Sequence, residues 1–264
     1  MNDMTKNSII YFLHRSTFFL IIFPLILSYK TSSILLISTS LIFTYILIKL
    51  VIYFKKYKLF NYIINIILVL FIIYMFYLLV DFIHIEYLIN TNYLYIYLLF
   101  FLTTFFISSK KFETISKASF ILFIISLLLF LIQSITLVSD INYIYKIHKI
   151  NIISLLLDSI KISLISTIPF FIVNDTKKIR VYYLISSLTI LITSIFTINI
   201  INNNLLHTYK YPLYQLFSHI NIFGFINRLE SLFSLMWITD VIICLSLCIH
   251  YIKNKVHIKH MHHK

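Results

Sequence analysis

Glycine is almost missing from this chain: Gly224 is the only one in 264 residues, beside three prolines, two cysteines and one tryptophan. A single glycine excludes Gly-rich phosphate loops and dinucleotide fingerprints, which need several at close spacing. The two cysteines, Cys244 and Cys248, are four apart on one helical face, which gives no zinc spacing and no disulfide framework. They read as packing thiols. Acids are scarce as well, with nine Asp and Glu against 22 Lys and Arg, so the formal net charge is +13. Charged residues make up only 12% of the chain and hydrophobic residues 60%, a balance that no soluble domain shows. The N-terminus lacks a small-residue cleavage site, so no removed signal peptide is expected.

What is present in quantity is apolar helix. Eight runs of about twenty apolar residues match the ~30 Å of a bilayer core: 9–28, 33–54, 60–80, 92–109, 118–138, 151–173, 181–200 and 231–252. They are long and continuous rather than alternating, which excludes a β-barrel. The predicted fold class is all-α, a polytopic membrane helical bundle of about eight transmembrane helices. Residues 1–252 form the membrane domain, and 253–264 a basic His/Lys-rich cytoplasmic tail. Pro24 in span one and Pro169 in span six are the only prolines within spans, and each should disturb its helix.

The basic residues fall in clusters between spans, which points to topology and anionic lipid rather than to nucleic acid. Lys6 and Arg15, then Lys55, Lys56 and Lys58, then Lys110, Lys111 and Lys117, then Lys177, Lys178 and Arg180, then Lys253, Lys255, Lys259 and Lys264 fall on one side. The other side holds Lys30, Lys146, Lys149, Lys210 and Arg228. The positive-inside rule puts both termini in the cytoplasm. Lys49, inside span two, is expected to snorkel toward Lys55.

Ionisable groups inside a bilayer are costly and need a reason. Asp158 and Lys161 lie three apart in span six, among Ser159, Ser163, Ser166 and Thr167, and Asp240 lies near mid-depth in span eight. Two readings are open. Asp158, Lys161, Ser163 and Asp240 form a solute-binding polar core, or Asp158 and Lys161 simply neutralise each other. Asp81, His84 and Glu86 form an outer cluster that reads as a hydrated helix end. The tail histidines 257, 260, 262 and 263 read as a solvated basic tail. No metal set, no cofactor motif, no nucleophile–base pair and no paired catalytic carboxylates are found, which points away from an enzyme.

The stretch 211–240 departs from generic membrane helix. A Tyr211-Pro212 turn leads into an aromatic run, Gly224, and the charges Arg228 and Glu230 at the mouth of span eight. The apolar part of 213–226 is expected to lie along the membrane surface or to plug an outer opening. Tyr211-Pro212, then Phe225, Arg228 and Glu230 as F-x-x-R-x-E, then Leu232, Phe233 and Trp237, resemble the late signature of the spore germination permease family. Lys111-Phe112-Glu113-Thr114-Ile115-Ser116-Lys117 is similar to that family's cytoplasmic G-I-E-x-I-A-R stretch, with Glu113 and Lys117 at its charged positions.

That resemblance implies a B-type membrane subunit of a nutrient germinant receptor with an amino-acid-permease-like, inverted-repeat architecture, shortened by its final two helices. It implies helices one and six as the broken pair, and Tyr211, Pro212, Phe225, Arg228, Glu230 and Trp237 at an outer gate. The implied partners are the lipid bilayer, other receptor subunits and a small nutrient such as an amino acid. An H⁺- or Na⁺-coupled amino-acid transporter and a structural subunit without ligand are the alternatives.

Overall fold

The apolar runs fold as helices because a backbone in lipid must satisfy its hydrogen bonds within its own segment. A computed structural model describes residues 8–27, 33–138, 151–173, 179–201, 209–218 and 230–261, and among them every regular element is helical. In chain order these are α1 (Ile9–Thr17), a π-helical turn (Phe18–Ile22), α2 (Phe23–Leu27), α3 (Ser33–Phe54), α4 (Lys58–Glu86), α5 (Tyr93–Ser108), α6 (Phe112–Leu137), α7 (Ile152–Thr167) continued by a 3₁₀ turn (Ile168–Ile172), α8 (Ile179–Ile200), α9 (Pro212–Ser218) and α10 (Glu230–Met261). Among the described residues seven helices are long and apolar enough to cross a membrane. The fourth predicted span, α5, has 16 residues, about 24 Å of helix, and is short for an ordinary bilayer core.

Boundaries differ from the sequence reading in three places. The predicted third span ends at 80, but α4 continues to Glu86 and carries Asp81 as a buried residue. The fifth begins at Phe112 rather than 118, so the Glu113–Lys117 stretch forms the first turns of α6 instead of a loop. Glu113 and Lys117 pair at 3.1 Å, both more than half exposed, while Ile115 and Ser116 point inward. An acid there suits the positive end of the helix dipole. The eighth span is predicted to end at 252, and α10 continues as helix through the basic residues to Met261.

Span one is the central column. Its 18-residue window is 89% buried, against 28–67% for the other six long spans. α1 packs on α6, α8 and α10, and α10 in turn packs on α4, α5 and α6. Both prolines mark departures from α geometry. Pro24 follows the π turn, and Pro169 lies in the 3₁₀ turn. A missing N–H in mid-span leaves a carbonyl without its donor, and widened or tightened turns redistribute the remaining bonds.

Serine and threonine stand in for glycine where helices approach. α3 packs extensively on α7, and their buried faces carry Ser40, Thr44, Ser159, Ser163 and Ser166. Ser40, Thr44, Ser159 and Ser163 each donate to a carbonyl of their own helix at 2.7–2.8 Å. Small side chains that satisfy themselves permit close contact without any glycine.

The helices alternate in direction. On one face Lys55 donates to Val173 O at 2.9 Å, His250 Nδ1 donates to Ser108 O at 2.9 Å, and Lys255 donates to Asn61 Oδ1 at 3.4 Å. These contacts gather the ends of α3, α5 and α10 and of the 3₁₀ turn. On the opposite face Phe82 meets Trp237 edge-on at 4.4 Å and Tyr87 bonds Ser234. Lys49 is exposed, with its ammonium 4.7 Å from the Tyr45 ring. The outer surface is apolar on α4, α6 and α7, as lipid requires, with Leu59 and Ile135 both 75% exposed.

Lys55 gives this face a pH signature. Burial first, and then the Lys255 charge, lower its pKa from 10.5 to about 8. Between pH 8 and 10.5 the unfolded chain therefore holds the proton that the folded chain has released. Stability should rise with pH across that window and be flat in this term below it. Because the charge is only partly buried, the gain is of order 1 kcal/mol. The expected result is a thermal midpoint in detergent that rises between pH 8 and 10 relative to Lys55→Gln; parallel profiles would refute the assignment.

Candidate functional site

α1 carries four consecutive buried polar residues, His14-Arg15-Ser16-Thr17. Ser16 and Thr17 donate to carbonyls one turn back at 2.6 and 2.7 Å, so they satisfy themselves. His14 and Arg15 cannot, and each is met by another helix. Arg15 was assigned to the basic side of the membrane by sequence. It belongs instead to the bundle centre, where the neighbours of α1 exclude both lipid and bulk water.

Arg15 Nε lies 3.5 Å from Asp240 Oδ2, with the arginine side chain 9% exposed and the aspartate fully buried. Arg15 Nη1 donates to Tyr11 Oη and to Ser126 Oγ, and those two hydroxyls bond each other at 2.9 Å. The guanidinium carbon also lies 5.5 and 5.4 Å from the centres of the Tyr11 and Phe19 rings, a cation–π geometry. Three helices thus converge on one cation: α1 with Tyr11 and Arg15, α6 with Ser126, and α10 with Asp240.

The acid is less well served. An ionised carboxylate offers about four acceptor positions, yet neither Asp240 oxygen accepts a hydrogen bond from the described residues. Arg15 Nε likewise donates no hydrogen bond to them, since its approach to Asp240 is an ion-pair contact. Buried polar groups are normally filled. One turn toward the start of α10, Trp237 Nε1 is buried and also without an acceptor among the described residues.

The other polar node is His14. Ser186 Oγ donates to Tyr183 O at 2.9 Å, so it receives the His14 Nδ1–H at 2.7 Å. With the proton on Nδ1, Nε2 is a buried acceptor with no partner among the described residues. The ring stacks on Tyr183 at 4.5 Å, and Tyr183 Oη donates to Leu41 O at 2.6 Å.

The end of the bundle opposite Lys55 and Ser108 is closed by aromatics. Tyr211 donates to Asp81 and lies over Phe82 at 5.1 Å and Trp237 at 6.5 Å. Lys210 Nζ pairs with the same Asp81 oxygen at 2.7 Å. The Asp81 carboxylate holds the Lys210 ammonium above its usual pKa, while burial and then Asp81 push the Tyr211 phenol up, so both keep their protons. Pro212 opens α9 at a position where its missing N–H is harmless. Leu213, Leu216 and Phe217 of α9 are buried, and Phe217 stacks on Phe233 at 5.6 Å. This part of 213–226 packs into the outer end of the bundle. His84 stacks on Tyr93 at 3.8 Å.

The residues proposed from sequence therefore divide. Asp240 is central, but Asp158 and Lys161 do not share its site. They pair with each other at 3.1 Å on α7, with the lysine side chain 65% exposed and the aspartate 14%. Ser163 is buried with its hydroxyl on Ile160 O at 2.8 Å. The body of α7 packs chiefly on α3, and the 3₁₀ turn beyond it packs on α10. Tyr211, Pro212 and Trp237 meet at the outer seam. Phe225 and Arg228, and the side chain of Glu230, lie outside the described residues. Tyr11, His14 and Ser126 were not singled out by sequence, because each is an ordinary residue of an apolar helix until its neighbours are known. Arg15 did carry a signal: a mid-span cation and a mid-span acid, neither with a counter-charge on its own helix.

No family model matches the sequence, and neither a curated protein nor a solved structure does.

Proposed function

We propose that this multi-pass membrane protein recognises a small zwitterionic nutrient of the amino-acid type at the Arg15–Asp240 pair, and that it does so as the permease-like subunit of a spore germinant receptor. The observation that carries solute recognition is Asp240: a wholly buried carboxylate with Arg15 at 3.5 Å and no hydrogen bond from the described residues. A cation and an anion held side by side in a buried interior match the carboxylate and ammonium of one amino acid. The π turn of span one and the 3₁₀ turn of span six support the permease-like reading, because broken helices in such folds free backbone groups for solute. The spore assignment rests on the resemblance of the 111–117 and 211–237 stretches.

Deletion of the gene in its spore-forming host tests this reading. Germination by at least one single nutrient should be lost, and germination by a non-nutrient trigger kept. Unchanged response to every nutrient rejects it. Purified protein in nanodiscs should also show a ligand-induced rise in thermal midpoint with that nutrient, abolished by Asp240→Asn. Coupled transport is the second reading, favoured by the same open carboxylate. It predicts substrate-driven uptake into proteoliposomes, and binding without uptake decides against it.

The face that carries Lys55, Lys110 and Lys253 is assigned to the cytoplasm, with the outer ends of α1 and α10 away from it. With Cys244 and Cys248 replaced by Ala, an impermeant maleimide added to intact cells should label Asn92→Cys and leave Lys110→Cys unlabelled. The reverse pattern inverts the protein.

A further inference from the structure

α7 presents to the outside of the bundle a face that is apolar except at one place. Ile153, Leu157 and Leu164 are 72%, 55% and 54% exposed, as a lipid-facing helix demands. Between them, near the middle of the span Ile152–Ile172, stands Lys161 with its side chain 65% exposed. It lies about 14 Å of helix from the outer end, too far for a four-carbon stem to carry the ammonium to water. Its one partner among the described residues is Asp158, one turn away at 3.1 Å. An ammonium has three donors, and hydrocarbon offers none of them an acceptor. Asp158 meets it through Oδ1, and the pair stands at the bundle surface with the lysine outward and the aspartate mostly covered.

We infer that a second copy of this chain covers this face, related by a twofold axis along the membrane normal, so that Lys161 of each copy bonds the partner's Asp158. The face is complementary to itself. It holds one base at its edge and, one turn away and largely covered, one acid, and a twofold axis along the membrane normal sets the partner's acid at the same depth as Lys161's own Asp158, within the reach of the same flexible stem. The two internal pairs then become a four-charge cluster in which each ammonium has two carboxylates. The apolar residues around it close the seam against lipid. A different protein would have to bring its own acid to the same depth, whereas the second copy carries one there by construction. Small residues, the other common device for joining helices in lipid, are represented on this side by Ser154, whose hydroxyl is held by Asn151 O at 2.9 Å, which leaves the charges to specify the contact.

The test uses the full chain with Cys244→Ala and Cys248→Ala and a reporter Leu157→Cys, reconstituted in lipid. Mild oxidation should give a disulfide-linked dimer. Asp158→Lys alone, or Lys161→Asp alone, places like charges on both sides of the seam and should cut that yield roughly tenfold. Mixing the two variants, each with its own tag, pairs an all-positive face with an all-negative one and should restore the cross-link as a heterodimer. Cross-linking that ignores the charge reversals, a mixture that fails to recover, or capture of a different membrane protein at Leu157→Cys in native membranes would each overturn the proposal. If a charge-reversed chain fails to insert, the mass of the unsubstituted protein in nanodiscs decides: a dimer that dissociates in Lys161→Gln upholds it, and a monomer rejects it.

Discussion

Asp240→Leu is expected to lower stability by about 3–5 kcal/mol, the usual cost of leaving one member of a buried ion pair alone. The substitution leaves Arg15 with two neutral hydroxyls and two aromatic faces as its only compensation. Those interactions cannot balance the desolvation of a whole charge. Arg15→Met should cost a similar amount by stranding the acid. The double variant Arg15→Met/Asp240→Leu should recover most of the loss, because two packed apolar side chains often match or exceed a buried pair. Unfolding in mixed micelles measures all three. Single variants that lose less than about 1 kcal/mol would mean that water already reaches the pair. The double variant also separates scaffold from site. If it folds and no longer answers the nutrient, the charges recognise ligand; if it still answers, they only hold α1 to α10.

The second large effect is expected at the outer seam. Asp81 accepts from both Lys210 and Tyr211, and the phenol is buried. Asp81→Ala therefore strands a buried donor and removes a charged acceptor, a loss of about 2–3 kcal/mol. Lys210→Ala removes only a half-exposed cation, worth no more than about 1 kcal/mol. Tyr211→Phe falls between them. Hydrogen exchange across 209–218 gives the structural readout. It should accelerate most in Asp81→Ala, since α9 is tied to α4 through this carboxylate. Equal acceleration in Asp81→Ala and Lys210→Ala would mean that packing of Leu216 and Phe217, not the acid, seats α9.

Both effects depend on buried charges, and buried charges are where sequence reasoning met its limit. Asp240 and Arg15 are 225 positions apart in the chain. A mid-span cation without a counter-charge on its own helix does not say which helix supplies one, and Asp158 with Lys161 offers Asp240 a nearer set of opposite charges. The deciding fact is which helix lies in the middle. A cation and a proline interrupt span one, and it is the most buried long span among those described. A cation in a lipid-facing helix is a liability, but in a central helix it can be met from three sides.

Composition by itself determined that this is a helical membrane bundle. Apolar runs of span length leave the backbone no other way to satisfy its hydrogen bonds in lipid, and the clustered lysines set the alternation of the helices. It also located the two proline irregularities and the Tyr211-Pro212 turn, since proline acts through its own ring and missing N–H. Only the tertiary structure decided which ionisable groups share an interior. An apolar helix carries no face that marks its neighbours, so the pairing of Arg15 with Asp240, the docking of Tyr211 on Asp81 and the outward position of Lys161 emerge from packing alone.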